Sequence, residues 1–212
     1  MTEILEWFEK LQAQRTMKAL QKNNFEARFV LKAADAAKEV FTMIPDGATV
    51  GVGGSVTLTE IGFFDEAATH PVKLLNPSPL LSVEDFLRMR REMFLADVYV
   101  CSSNAVTEDG KLYNIDGSGN RVGSMTFGPK KVILVCGISK VVKDLDEAVK
   151  RMQYRAAPMN ARRLGLKTPC AETGVCADCA SPDRICNTYV VSAKKPLRTE
   201  VTVLLVGEPL GF

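Results

Sequence analysis

Three stretches of this chain carry residue types whose spacing suits chemistry. The first, Thr49-Val50-Gly51-Val52-Gly53-Gly54-Ser55-Val56-Thr57-Leu58-Thr59-Glu60, reads as a β-branched strand turning through glycines into a helix. Gly53 and Gly54 let backbone approach a ligand with no Cβ in the way, and Ser55 and Thr57 add hydroxyls. Thr57 followed by Glu60 predicts a capping box and a helix from Leu58 to about Thr69 whose free N–H groups face the glycines. Such a start favours negative charge. The spacing is no dinucleotide fingerprint, because the third glycine comes too early at Gly54. Nor is there a Gly-Lys-Ser/Thr phosphate loop, so no nucleotide cofactor is evident.

The second stretch runs from Cys101-Ser102-Ser103-Asn104 to Asn114-Ile115-Asp116-Gly117-Ser118-Gly119-Asn120-Arg121, polar residues that follow an apolar strand. The amides of Asn104 and Asn120 offer donors and acceptors, Asp116 an acceptor, and Arg121 a fork that fits carboxylate or phosphate. The same residue types also make ordinary turns. The third stretch spaces Cys170, Cys176, Cys179 and Cys186 as C-x5-C-x2-C-x6-C in a loop over 168–187. A Cys-x-x-Cys turn presents two thiolates together, and four sulfurs suit structural zinc or an iron–sulfur cluster. The spacing does not choose between them, and redox-active thiols are a further reading.

The elements that must position these residues follow from the apolar pattern. A helix over about 3–23 forms an N-terminal unit, 1–23, ahead of one α/β domain over 24–212. Phe25–Leu31, the strand ending at Val52, Val72–Leu75, Asp97–Cys101 and Lys131–Cys136 alternate with helices at Ala33–Ile44 and from Ser82. This predicts an open, three-layer, mostly parallel sheet with helices on both faces. Asp109-Gly110 marks a short hairpin, Pro158 interrupts a helix over about 145–164, and Tyr189–Ser192 and Glu200–Val206 are the last strands. In such sheets ligands gather at the carboxyl ends of strands, where the first two stretches lie. Lys140, past another such end, reads as solvated, with anion binding as the alternative, and His70, the single histidine, as a surface or helix-end residue. Cys101 and Cys136 read as small buried hydrophobes.

Composition narrows the function classes. A net charge of +2 over 212 residues, with Lys and Arg mixed among Asp and Glu, carries no nucleic-acid footprint. No apolar run is long enough to span a membrane, and Met1 to Lys10 lacks the pattern of a secretory signal, so a cytoplasmic protein is expected.

The glycine loop with Ser55, Thr57 and Glu60, the run Ser103-Asn104-Ala105-Val106-Thr107-x-x-Gly110, the Asp116-Gly117-x-Gly119-Asn120-Arg121 turn and Gly128-Pro129-Lys130-Lys131-Val132 together resemble the LUD, or lactate-utilisation, domain family. The resemblance implies a fold similar to sugar-phosphate isomerases and CoA-transferases, with the glycine loop beside the substrate pocket, and a part in lactate or organic-acid utilisation. On that fold a carboxylate near the loop is the natural base or nucleophile, and Glu60 and Asp116 are the candidates. The ligand is then a small anionic metabolite such as an organic acid, sugar phosphate or CoA ester, held by Gly53, Gly54, Ser55, Thr57, Asn104, Asn120 and Arg121. The alternative is an accessory redox subunit with a protein redox partner and a metal at the four cysteines. Homo-oligomerisation is compatible with either reading.

Overall fold

The computed structural model describes residues 2–77 and 80–212. In chain order its elements are α1 (Thr2–Lys22), β1 (Glu26–Val30), α2 (Ala33–Phe41), β2 (Thr49–Val52), α3 (Val56–Glu60), α4 (Phe63–Ala67), β3 (Lys73–Leu75), α5 (Val83–Glu92) and β4 (Val98–Cys101). Then come β5 (Ala105–Thr107), β6 (Leu112–Asp116), α6 (Asn120–Thr126), β7 (Lys131–Gly137), β8 (Val141–Val142), α7 (Leu145–Arg151), α8 (Ala157–Arg163), α9 (Pro169–Thr173), β9 (Thr188–Ser192) and β10 (Glu200–Val206).

The apolar runs of β2, β4, β7 and β10 form the middle of a six-stranded, all-parallel sheet in the order β1-β10-β7-β4-β2-β3. Alternation along each strand supplies both covered faces. Tyr99, Cys101, Val132 and Leu134 join the core that also takes in Ala13 and Leu20 of α1, while Val98, Val100, Ile133 and Val135 pack with Val40, Leu58 and Phe63 on the other side. The α/β architecture read from the sequence is therefore the one the chain adopts.

A second sheet, β8-β5-β6-β9, extends the hairpin expected at Asp109-Gly110, with Tyr113 and Ile115 packed on Ala148 and Met152. Gly110 has φ +82, and a Cβ there would strike the Ala19 backbone. Asn23 Nδ2 donates to the carbonyls of Asp109 and Gly110, so the second half of α1 is seated on this hairpin. Its first half leaves Ile4, Leu5, Trp7 and Phe8 exposed.

Two local expectations change. The helix after the glycine loop starts at Val56 and breaks at Gly62, whose φ of 71° ends α3 before α4 begins. Ser55 is its N-cap residue but makes no side-chain cap bond, and Glu60 turns away to accept from the Gly211 N–H at 2.6 Å, so no Thr57–Glu60 capping box forms. Farther on, the stretch before Pro158 widens into a π-turn over Met152–Ala156 between α7 and α8. A proline brings no N–H to the ladder there. Among the described residues no helix is long and apolar enough to cross a membrane.

Candidate functional site

β2 pairs with both β3 and β4, so its chain leaves toward one edge while β4 leads toward β7 on the other side. The carboxyl ends of β2 and β4 thus flank the reversal of strand order, where open α/β sheets hold their ligands. A cleft of about 690 Å³ opens there, walled by the glycine loop, the Ser102-Ser103-Asn104 segment and the Asp116–Arg121 turn. Four basic side chains, Arg90, Arg121, Lys140 and Arg163, line it against one acid, Asp116.

Lys140 overturns its sequence reading. The short helical turn Ile138–Lys140 after β7 carries it inward, and it is 4% exposed. Its Nζ donates to Thr57 Oγ1 at 2.9 Å and Ser102 Oγ at 2.7 Å, and among the described residues it has no ion-pair partner. Burial pulls its pKa down to about 8, with Arg151 and Arg121 pushing the same way and Cys136 and Glu60 opposing. On the glycine loop, Ser55 Oγ is buried and has no hydrogen-bond partner among the described residues. Arg151 backs the same wall: Nε donates to the Ser139 carbonyl, Nη1 to the Asn104 carbonyl at 2.7 Å, and Nη2 is buried with no partner among the described residues. Burial, then Arg155, brings this guanidinium down to about 10.

Arg121 is spent differently. Nη1 donates to the Ser102 carbonyl and Asn114 Oδ1, and Nη2 to Asn104 Oδ1 and the Ile115 carbonyl, all within 2.8 Å. It joins the end of β4 to the second sheet, with Asp116 Oδ2 3.8 Å from Nε. Asp116 accepts from the N–H groups of Ser118, Gly119 and Val122, and so holds the turn into α6, a helix the sequence reading missed. Asn104 also accepts from the Ile115 N–H, and Asn120 opens α6 on the cleft wall. Gly53 lies behind the cleft, where a Cβ would meet Cys101 Cβ and Tyr99 Oη at 2.8 Å and Arg121 Cδ at 3.4 Å. Gly54 faces open space on the cleft side.

Of the sequence candidates, Gly54, Ser55, Thr57, Asn104, Asp116, Asn120 and Arg121 therefore converge on one cleft, whereas Gly53 packs behind it and Glu60 tethers Gly211. Ser102 and Arg151 carry no such reading, and Lys140, whose favoured reading is a solvated side chain, is buried on the wall, where its alternative reading as an anion binder has its place. Lys140 had one legible signal, its place just past the carboxyl end of an apolar strand. His70 stacks on Phe41, with centroids 4.3 Å apart, and bonds Glu66 at 3.2 Å, away from the cleft.

The four cysteines occupy one loop beside the cleft. Cys170 lies in α9, Cys176 and Cys179 are partly exposed, and Cys186 is buried. Burial pushes the Cys186 thiol up, Arg184 opposes this, and the Cys176, Cys179 and Cys170 thiols are near enough to add to the rise. Among the described residues no three His, Cys, Asp or Glu side chains are placed as a group that could hold a metal ion.

Comparison with known proteins bears on the whole chain. A crystal structure of a DUF162 family protein from Deinococcus radiodurans superposes with a TM-score of 0.52 at 14% identity, covering 93% of this chain and 98% of that one. Ribose 5-phosphate isomerase A from Neisseria gonorrhoeae matches with a TM-score of 0.36 at 22% identity, over 53% of this chain and 54% of its own. For eIF2B beta from Chaetomium thermophilum the TM-score is 0.38 at 20% identity, over 54% and 41%. No curated protein sequence matches. The LUD domain profile matches residues 13–206, which takes in both sheets, the cleft apart from Gly211 and Phe212, and the cysteine loop, and the chain belongs to the LUD domain family.

Proposed function

We propose that this protein binds a small anionic metabolite in the cleft at the carboxyl ends of β2 and β4. The observation that carries the reading is Lys140, a buried ammonium on the cleft wall whose bonds go to two hydroxyls and to no carboxylate. A charge in that state is stabilised by an incoming anion, because desolvation has been suffered without a counter-ion to offset it. Arg90 and Arg163 on the rim add long-range attraction, and the unpartnered Ser55 Oγ gives a neutral donor beside the ammonium. The ligand class is an organic acid, sugar phosphate or CoA ester. The lactate-utilisation resemblance puts short hydroxy and oxo acids first, in a cytoplasmic setting.

Isothermal titration with a panel of lactate, pyruvate, ribose 5-phosphate and acetyl-CoA tests this against Lys140→Met and Lys140→Arg. At least one anion should bind the native chain, lose about 100-fold in affinity with methionine, as expected when a buried charge contact disappears, and recover in part with arginine. Equal affinities in the native and methionine chains would refute the assignment.

A further inference from the structure

The cysteine loop is not absorbed by the anion cleft, and several hydrogen bonds fix its shape. Its neck is closed by two bonds across the chain: Lys167 N–H donates to Asp183 Oδ2 at 2.9 Å, and Ser181 Oγ donates to the Lys167 carbonyl at 3.0 Å. Between them, Asp178 takes φ 44°, a left-handed conformation that an aspartate tolerates better than most residues. That conformation turns the Asp178 N–H onto Cys176 Sγ at 3.4 Å, within the Cys176-Ala177-Asp178-Cys179 turn. A backbone N–H aimed at sulfur stabilises a thiolate more than a thiol. A second polar contact reaches sulfur at Cys170, whose Sγ lies 3.4 Å from Thr168 Oγ1.

Arg184 then ties the two halves of the loop together. Its Nη1 donates to Asp178 Oδ1 at 2.8 Å and to the Cys179 carbonyl at 2.6 Å, and its Nε to the Cys186 carbonyl at 3.2 Å. One guanidinium thus ties the Cys-x-x-Cys turn to the Cys186 backbone and places positive charge near Cys186, which suits an anionic thiolate.

We infer that Cys170, Cys176, Cys179 and Cys186 form a four-thiolate site for one thiophilic metal centre. With no histidine in the loop, the donor set suits zinc or iron with inorganic sulfide and excludes hard oxygen-seeking cations. On ligation each thiol gives its proton to solvent and the metal takes the four sulfur lone pairs, with no change of oxidation state. Around a single zinc, sulfurs 2.3 Å from the metal stand about 3.8 Å apart. The thiols are not gathered as such a group, so binding draws the loop inward. Two contacts join the loop to the cleft wall. Asn187 N–H donates to the Asp116 carbonyl at 3.0 Å, and Cys176 N–H donates to the Gln153 carbonyl in the π-turn at 3.0 Å. Ile185, packed on Gly117, is part of the cleft wall.

The test uses the full chain purified without oxygen or chelators, assayed for zinc, iron and acid-labile sulfide. It is then titrated with p-hydroxymercuribenzoate while released metal is followed. We expect about one zinc per chain, or iron with matching sulfide, released as four thiols react. The Cys176→Ser/Cys179→Ser variant should retain about a tenth of that content or less, since half the ligand set is gone. Zinc alone identifies a single ion, and iron with sulfide a cluster. Protein that is metal-free and takes up neither zinc nor iron and sulfide on reconstitution overturns the site, as does a disulfide among the four in anaerobic protein. If the variant does not fold, mercurial release from the native chain decides alone. Lys140→Met should keep its metal, so failure of the anion cleft and failure of this site are separable.

Discussion

Arg121 and Lys140 are both cations on the wall of one cleft, and they differ in what their donors meet. The four short bonds of Arg121 end on carbonyl and amide oxygens, all fixed acceptors that belong to β6 and to the segment between β4 and β5. Lys140 meets two hydroxyls, which solvate a charge without neutralising it. The fall of its pKa from 10.5 to about 8 corresponds to about 3 kcal/mol of disfavour for the charged form near neutrality. A buried charge by itself does not mark a ligand site. Its acceptors decide whether it already serves the fold or still lacks a counter-charge.

The contrast is broken or sharpened most strongly by removing each group in turn. Arg121→Ala removes four short bonds in the core of the site, leaving Asn104 Oδ1 and Asn114 Oδ1 with one backbone donor each and taking the guanidinium from the Ser102 and Ile115 carbonyls, and should cost about 3–5 kcal/mol. That lowers Tm by roughly 10 °C for a chain of this size. Lys140→Met removes a poorly compensated charge and should leave Tm unchanged or raised while metabolite affinity collapses. Differential scanning calorimetry on the two variants reads the difference directly. If Arg121→Ala stays within about 2 °C of the native chain, the guanidinium is not the pin described here.

How much of this was legible in the sequence depends on the range of the interaction involved. The parallel sheet was readable because β4, β7 and β10 are continuous apolar runs, and burial on both faces writes itself into the residue types. The helix start at Ser82 was readable too, since its cap is local: Ser82 Oγ accepts from the Asp85 N–H, three residues on, at 3.1 Å. The capping box at Thr57 has the same local signature and fails for a distant reason. Glu60 is claimed by Gly211 and Thr57 by Lys140, 151 and 83 residues away in the chain. Lys140 was misread on the same ground, because a lysine after a strand looks solvated until the glycine loop and Ser102 close over it. The convergence of Ser55, Asn104 and Asp116 was foreseeable from their shared place at strand ends, but the division of labour between Arg121 and Lys140 was not. It is set by which oxygens the second sheet brings near, and the contribution of β8 to that sheet was invisible in a two-residue strand.

A smaller effect with a distinctive sign lies in pH. The folded chain releases the Lys140 proton near pH 8, whereas the unfolded chain holds it to about 10.5. The unfolded state therefore binds more protons across that window, and the contribution of Lys140 to stability rises with pH. Anion affinity goes the other way, falling up to about tenfold per pH unit above 8 until the liganded lysine itself titrates. Arg151, drawn down to about 10, remains largely charged below pH 9 and does not supply the slope. Titrations at pH 7, 8 and 9 on the native chain and Lys140→Arg should show the fall only with lysine. The same fall in both chains would move the titration to another group.

The smallest expected change separates the two sequence-derived carboxylates from chemistry. Glu60 accepts the Gly211 N–H, and a glutamine oxygen can keep that bond with less strength, so Glu60→Gln should cost about 1 kcal/mol or less. Its negative charge also helps Lys140 stay protonated, so the variant should titrate slightly lower at Lys140. Removing an acid near an anion pocket works in the opposite direction on affinity. The two effects offset each other, and binding should stay within about threefold of the native value at pH 7, as for a lost solvated charge. Asp116 cannot be tested so cleanly, because its three backbone bonds hold the turn into α6 and any substitution there disturbs Arg121 as well. If turnover of a bound metabolite is found and Glu60→Gln removes it while leaving affinity and Tm in place, Glu60 is a proton carrier. The tether to Gly211 would then be the resting position of a catalytic side chain.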